Sequence, residues 1–205
     1  MELHSHNSVA VLTFSSDAGY PRLTRAVLGE LSELLAEVRL SGLFRGLVIA
    51  ANTRSFATGA AVEEVAAVEG LGAREFAQAG QRLLDHIARF PVPVIAAIRG
   101  YCLGGGLDLA LACQARVATY DASFGHPGAS LGLITGWGGT LRLSCLVGKG
   151  AALQILLTAD RIPATQALTL GLVDELASSK DLVETAARRA LALSRGGTSV
   201  RDHGR

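Results

Sequence analysis

Three consecutive glycines, Gly104, Gly105 and Gly106, follow an apolar run and stand two residues before a single carboxylate, Asp108. Glycine costs about 1 kcal/mol against alanine inside a helix, so helix propensity does not explain three in a row. Such glycines let the backbone approach a ligand and leave unpaired N–H groups at a helix start. There the orphan donors and the helix dipole favour negative charge. That charge is either a bound anion or an oxyanion formed only during reaction. The same glycines would equally serve tight packing of a helix on a sheet. No Lys-Ser/Thr pair follows them, so they do not form a phosphate-binding P-loop, and no dinucleotide fingerprint is present. A second glycine turn, Ser55 to Ala61, contains Gly59 and Ala60 and also joins an apolar run to a helical segment. Two such turns can supply two converging amides, the geometry of an oxyanion hole.

The elements that must hold these turns read as an alternation of strands and helices. Apolar runs at Val9–Phe14, Leu47–Ala50 and Val94–Ile98 predict strands, the last covered on both faces. Helical spacing predicts helices over Leu23–Val38 and Ala73–Phe90, the second stopped by Pro91. A small-residue helix is predicted over Leu107–Ala112, with a strand at Arg116–Ala118 and extended pieces near Ser123 and Phe124. Helices near Thr140–Leu146 and Gly150–Leu157, a strand at Val173–Leu176 and a helix over Leu182–Leu193 complete the pattern. This alternation implies an α/β domain with largely parallel pairing. No sequence repeat is visible. One domain is expected over residues 1–195, followed by a polar, disordered tail over 196–205.

The chain has 205 residues, 49% hydrophobic and 18% charged, with a net charge of +1. That is long enough for a core that needs no staple. The balanced charge gives no case for nucleic acid or an anionic membrane as partner. The longest uncharged stretch, Ala122–Leu141, holds six glycines, His126 and Pro127, and makes a poor membrane helix. No signal peptide is visible at the start, and Cys102, Cys113 and Cys145 form no CxxC pair. A cytoplasmic location with reduced thiols is expected. His4 and His6 are expected in a mobile terminus rather than a metal site, and His86 in a structural role on its helix.

The run from Pro91 to Cys113, P-V-P-V-I-A-A-I-R-G-Y-C-L-G-G-G-L-D-L-A-L-A-C, resembles the signature of the enoyl-CoA hydratase/isomerase (crotonase) superfamily. So do Phe124-Gly-His-Pro127, the segment Leu131–Leu143 with its Gly-Trp-Gly-Gly-Thr core, and Gly171-Leu-Val-Asp174. Phe56-Ala-Thr-Gly-Ala60 is similar to the family's upstream turn. The resemblance implies a crotonase-like spiral of ββα units that binds acyl-CoA or enoyl-CoA thioesters, with coenzyme A as part of the substrate and no separate cofactor or metal. It implies a homotrimer or hexamer. It also implies an oxyanion hole built from the Ala60 and Gly105 N–H groups, with Gly59, Gly104 and Gly106 shaping it.

The departures bear on the chemistry. Where typical hydratases carry two glutamates, this chain has Asp108 at the first position and Gly128 at the second. Hydration needs a water held by two partners and a proton relay, so ordinary hydratase activity is expected to be weak. His126 is a candidate to compensate, or simply a polar residue where other members have Gln. Asp108 is either the main acid/base or a carboxylate favoured by the helix dipole. Thr135 replaces a proline. Trp137 replaces a small residue and either shrinks the acyl pocket or sits at a surface or subunit contact. Arg22 and Arg54 are weak candidates for the CoA phosphates, since Glu63 stands where a basic residue is usual. The helical region that normally covers the pocket is shortened here, with only Asp181–Leu193 to begin it. Two functions follow: an enzyme working through a thioester enolate, or a catalytically reduced acyl-CoA-binding or assembly subunit.

Overall fold

A computed structural model describes residues 1–67 and 69–196. Strands β1 (Glu2–His6), β2 (Val9–Phe14), β3 (Gly46–Ala51), β4 (Val94–Ile98), β6 (Ala115–Thr119) and β9 (Glu175–Ala177) form a six-stranded sheet in the order β1-β2-β3-β4-β6-β9. All pairs are parallel except β1–β2. A second sheet, β5-β7-β8, joins β5 (Tyr101–Leu103), β7 (Ser123–Gly125) and β8 (Ile162–Pro163). Helices α1 (Arg25–Ser41), α2 (Val62–Ala66), α3 (Gly70–Ala88), α4 (Gly105–Ala112), α5 (Gly139–Val147), α6 (Lys149–Leu157), α7 (Ala164–Thr169) and α8 (Leu182–Arg195) complete the fold. A 3-10 turn spans Pro127–Leu131. No helix among the described residues is long and apolar enough to cross a membrane.

The ββα spiral is visible in the register. After β2, Leu23 bridges Ala60 in parallel; after β3, Ala57 bridges Cys102; after β4, β5 pairs with β7, which follows β6. Strands β2, β3, β4 and β6 are thus each followed by a very short second strand, and these stack beside one another. Each glycine turn leads out of one of these short strands toward a helix, which brings Gly59 and Gly104 to neighbouring turns of the spiral.

Alternation along the buried strands divides the core in two. Leu47, Ile49 and Ala51 face α1, α3 and α4. Val48 and Ala50 face Ala186, Ala187 and Ala190 of α8. A side chain at Gly46 would approach within 2.7 Å of Ala190 Cβ, so glycine and alanine together let α8 lie close to the sheet. α1 starts at Thr24, whose hydroxyl accepts from Val27 N–H at 3.2 Å, and stops at Gly42 in the left-handed conformation.

The structure departs from the sequence-based expectations at both ends of the chain. His4 and His6 are not in a mobile terminus: they lie in β1, paired antiparallel with Val11 and Val9. The last strand is Glu175–Ala177 rather than Val173–Leu176; Leu172 and Val173 are buried in the turn after α7. Asp174 between them and β9 accepts from the backbone N–H and guanidinium of buried Arg116, both at 2.9 Å. The segment Asp181–Leu193 does not begin a pocket cover, because α8 packs on the opposite sheet face from α3 and α4. Of the expected tail, residues 197–205 lie outside the described residues.

Candidate active site

Gly104 has φ 53° and ψ −123°, a conformation that residues with a side chain avoid. Its N–H donates to Gly125 O at 2.9 Å and its carbonyl accepts from Asp108 N–H at 3.0 Å, which starts α4 directly from β5. Gly59 has φ 101°, and its carbonyl accepts from Leu23 N–H at 2.8 Å. The two turns touch. A Cβ at Gly59 would stand 3.3 Å from Gly105 N, and one at Gly105 would stand 3.4 Å from Ala60 N. Among the described residues, neither the Ala60 N–H nor the Gly105 N–H donates a backbone hydrogen bond. Gly106 has a different reason: a side chain there would overlap Ala57 O and come within 2.8 Å of Ala57 Cβ. It seats α4 against the upstream turn.

Asp108 is buried in α4, and its Oδ2 accepts a hydrogen bond from the Thr135 hydroxyl. Its Oδ1 lies 3.4 Å from Nε2 of His126, which is buried at the start of the 3-10 turn. Those two facing atoms have no hydrogen-bond partner among the described residues. Burial pushes the Asp108 carboxyl up to about 7, against the opposing pull of the Thr135 hydroxyl, the Arg142 charge and a backbone hydrogen bond from Trp137. Burial also pushes His126 down to about 4, so its imidazole is neutral at physiological pH. Arg142 in turn is held by Asp85 at 2.5 Å and by Trp137 O at 2.8 Å.

Trp137 is 4% exposed, which rules out a surface position. Its ring centroid is 5.5 Å from that of Phe76, and it occupies the space that side chains at Gly80 and Gly105 would need. The indole therefore fills the gap between α3 and α4 beside the Gly105 amide. Gln81 fixes the preceding backbone by donating to Gly136 O at 2.7 Å.

These groups enclose a cavity of about 360 Å³ with a mainly apolar wall. Asp108, His126, Ala60, Gly105, Gly59, Gly104, Gly128 and Trp137 all line it; Gly106 does not. Gly128 faces the cavity with room to spare, since a Cβ there would meet only Leu133 at 3.5 Å. Arg22 and Arg54 do not line it, and Arg22 is taken up by an exposed ion pair with Glu63 at 2.8 Å. His86 packs 5.6 Å from the Phe90 ring, outside the cavity.

The walls, Val62, Val65, Phe76, Leu133 and Ile134, are not marked as site residues by the sequence pattern. Phe76 sits at helical spacing and reads as core, while the others fall in segments without clear period. Thr135 stands out in the sequence only as the residue that replaces a proline. A serine- or threonine-to-carboxylate contact across 27 residues leaves no local trace.

A family model described as enoyl-CoA hydratase/isomerase matches residues 4–201. The fatty acid oxidation complex subunit alpha of Shewanella loihica is 40% identical over 194 residues, covering 92% of this chain and 28% of that protein. The chain thus spans little more than a quarter of the length of that relative. The short-chain-enoyl-CoA hydratase of Clostridium acetobutylicum is 35% identical over 185 residues, covering 90% of this chain and 71% of that protein. Among solved structures, enoyl-CoA hydratase from Bacillus anthracis superposes with a TM-score of 0.88 at 30% identity, covering 94% of this chain and 76% of that one. Pseudomonas aeruginosa DspI gives a TM-score of 0.88 at 31% identity, covering 95% and 74%.

Proposed function

The chain belongs to the enoyl-CoA hydratase/isomerase family, and from that premise we propose that it binds an acyl-CoA or enoyl-CoA thioester and stabilises its enolate. The observation that carries this reading is the contact between two turns whose Ala60 and Gly105 amides have no backbone acceptor among the described residues, on the same cavity as a buried carboxylate. A thioester oxygen between those amides would gain two hydrogen bonds as negative charge develops on it. One such donor typically contributes ~3 kcal/mol to the transition state.

Asp108 is the acid/base in this reading. As the carboxylate it takes the α-proton; the C–H electron pair becomes the enolate double bond and the charge moves to the thioester oxygen. Returning a proton to carbon restores the thioester. A carboxyl near 7 is well matched to both directions at neutral pH. His126, neutral and 3.4 Å away, stands as a second polar group at the same point. Gly128 offers no acid for a second proton relay, so water addition is the weaker activity. Coenzyme A is part of the substrate, and no separate cofactor or metal has a role. Assembly as a homotrimer or hexamer and a cytoplasmic location belong to the same proposal; light scattering of the purified protein checks the first.

The test is mass spectrometry of acyl- and enoyl-CoA thioesters incubated with the protein in D2O. Deuterium at the α-carbon is the expected result. Its rate should rise as pH passes through about 7, where Asp108 loses its proton, and should vanish in Asp108→Ala. Gain of a water's mass without deuterium exchange in the saturated thioesters would place hydration first. Neither change, with thioester binding confirmed by calorimetry, would leave a catalytically reduced acyl-CoA-binding subunit.

A further inference from the structure

Given the acid/base role proposed for Asp108, we infer that Thr135 is a positioning residue that holds Oδ2 and leaves Oδ1 as the oxygen that exchanges the proton. Three observations converge on it. The Thr135 hydroxyl donates to Oδ2, so that oxygen is occupied. Oδ1 has no hydrogen-bond partner among the described residues and faces His126 Nε2, which likewise has none, at 3.4 Å. The space around Oδ1 exists because residue 139 is glycine: a Cβ there would collide with Oδ1 and come within 3.1 Å of Thr135 Cγ2. Thr135 and Gly139 therefore act together, one fixing the carboxylate and the other making room for its free oxygen.

The chemistry follows from the asymmetry. A buried carboxylate with two equivalent oxygens can turn about its Cβ–Cγ bond and present either one. One that accepts a hydroxyl hydrogen bond on Oδ2 is restrained to a single orientation, with its basic lone pairs on Oδ1. The hydroxyl also favours the charged form and so opposes the effect of burial. Asp108 is faced by His126 from the start of the 3-10 turn, Arg142 from α5, Cys102 from β5, the Trp137 backbone and Thr135 itself. Of these, Thr135 alone makes a side-chain hydrogen bond to the carboxylate among the described residues.

Thr135→Val keeps the branched shape and removes the hydroxyl; Thr135→Ser keeps the hydroxyl. The first readout is independent of activity: the titration of Asp108 followed by carbon NMR of protein labelled at aspartate side-chain carboxyls, assigned with Asp108→Asn. Thr135→Val should raise the Asp108 midpoint by about 1 pH unit, and Thr135→Ser should leave it near the wild-type value. The second readout is α-deuterium exchange at pH 7, expected to fall about tenfold in Thr135→Val with thioester affinity unchanged within about twofold, and to recover in Thr135→Ser. An unmoved midpoint in a folded Thr135→Val overturns the inference. Should that variant fail to fold, Thr135→Ala is measured in its place and read the same way. If the midpoint moves as stated while the wild type exchanges no deuterium, Thr135 still positions Asp108, and it is the enolate reading that fails.

Discussion

Trp137 fills the space left by the absent side chain of Gly80, with its indole laid across from Phe76 at 5.5 Å. One end of the cavity is closed by this packing, one helix against one ring, and the Gly105 amide lies just beside it. Trp137→Ala removes a buried ring at a site that neighbouring backbone cannot collapse to fill. Stability should fall by about 3 kcal/mol in urea denaturation. The opened end should also move the preferred thioester toward longer acyl chains. A chain-length profile identical to wild type would mean that Trp137 serves packing alone.

The buried pair of Asp108 and His126 gives opposite slopes of stability with pH. Asp108 has a folded-state value of about 7, above its ordinary 3.8, so it binds more protons folded than unfolded in that window. Its contribution therefore falls as pH rises from about 4 to 7. His126 is lowered from 6.5 to about 4 and binds fewer protons folded than unfolded. Its contribution rises with pH across about 4 to 6.5. In the wild type the two oppose each other. Asp108→Asn leaves the histidine alone, so the unfolding free energy of this variant, from urea denaturation at each pH, should climb between pH 4.5 and 6.5 by up to about 1.4 kcal/mol per pH unit. A flat profile would show that His126 is not held neutral by its surroundings.

The main strands were legible because burial on both faces writes a continuous apolar run, as in Val9–Phe14 and Val94–Ile98. The companion strands were not. Leu23 and Ala57 make single bridges and β5 is three residues long, too short for any period. The spiral therefore repeats in space without repeating in sequence. β1 is not legible because this edge strand, with Glu2, His4 and Ser5 exposed, carries little apolar character. At the site, the glycines announced themselves but their separate reasons did not. Gly104 answers to a backbone angle, Gly105 to the Trp137 ring and Gly106 to the Ala57 carbonyl. Those partners lie about 30 to 50 residues away, beyond the reach of local pattern.

Gly106→Ala tests that separation of roles. The added methyl would overlap Ala57 O, a backbone atom with no rotamer to escape into. Either α4 lifts or the upstream turn shifts, and both displace the Ala60 and Gly105 amides relative to each other. A loss of about 2 kcal/mol in stability is expected, together with at least tenfold slower α-exchange. Gly128→Ala is the matched control. Its Cβ makes only ordinary contact with Leu133 at 3.5 Å, so stability and exchange should both stay near wild type.

Gly128→Glu tests whether the missing second carboxylate is what limits hydration. The position faces the cavity and has space for a side chain, so the substitution need not disturb the turn. Lengthening Asp108 to glutamate is the poorer choice, because Oδ1 already fills the room that Gly139 leaves. With Gly128→Glu alone, a water in the cavity gains a second acid–base partner beside Asp108. Hydration of crotonyl-CoA, followed by loss of its enoyl absorbance, should then rise about tenfold or more, within the usual contribution of one positioned acid or base. The α-deuterium exchange of a saturated acyl-CoA should stay within about threefold of wild type, since it needs only the amides and Asp108. If exchange persists and hydration does not rise, the carboxylate is present but wrongly placed. If neither reaction is seen in the variant, the pairing of the two amides with Asp108 is itself insufficient, and the fold is serving thioester binding without turnover.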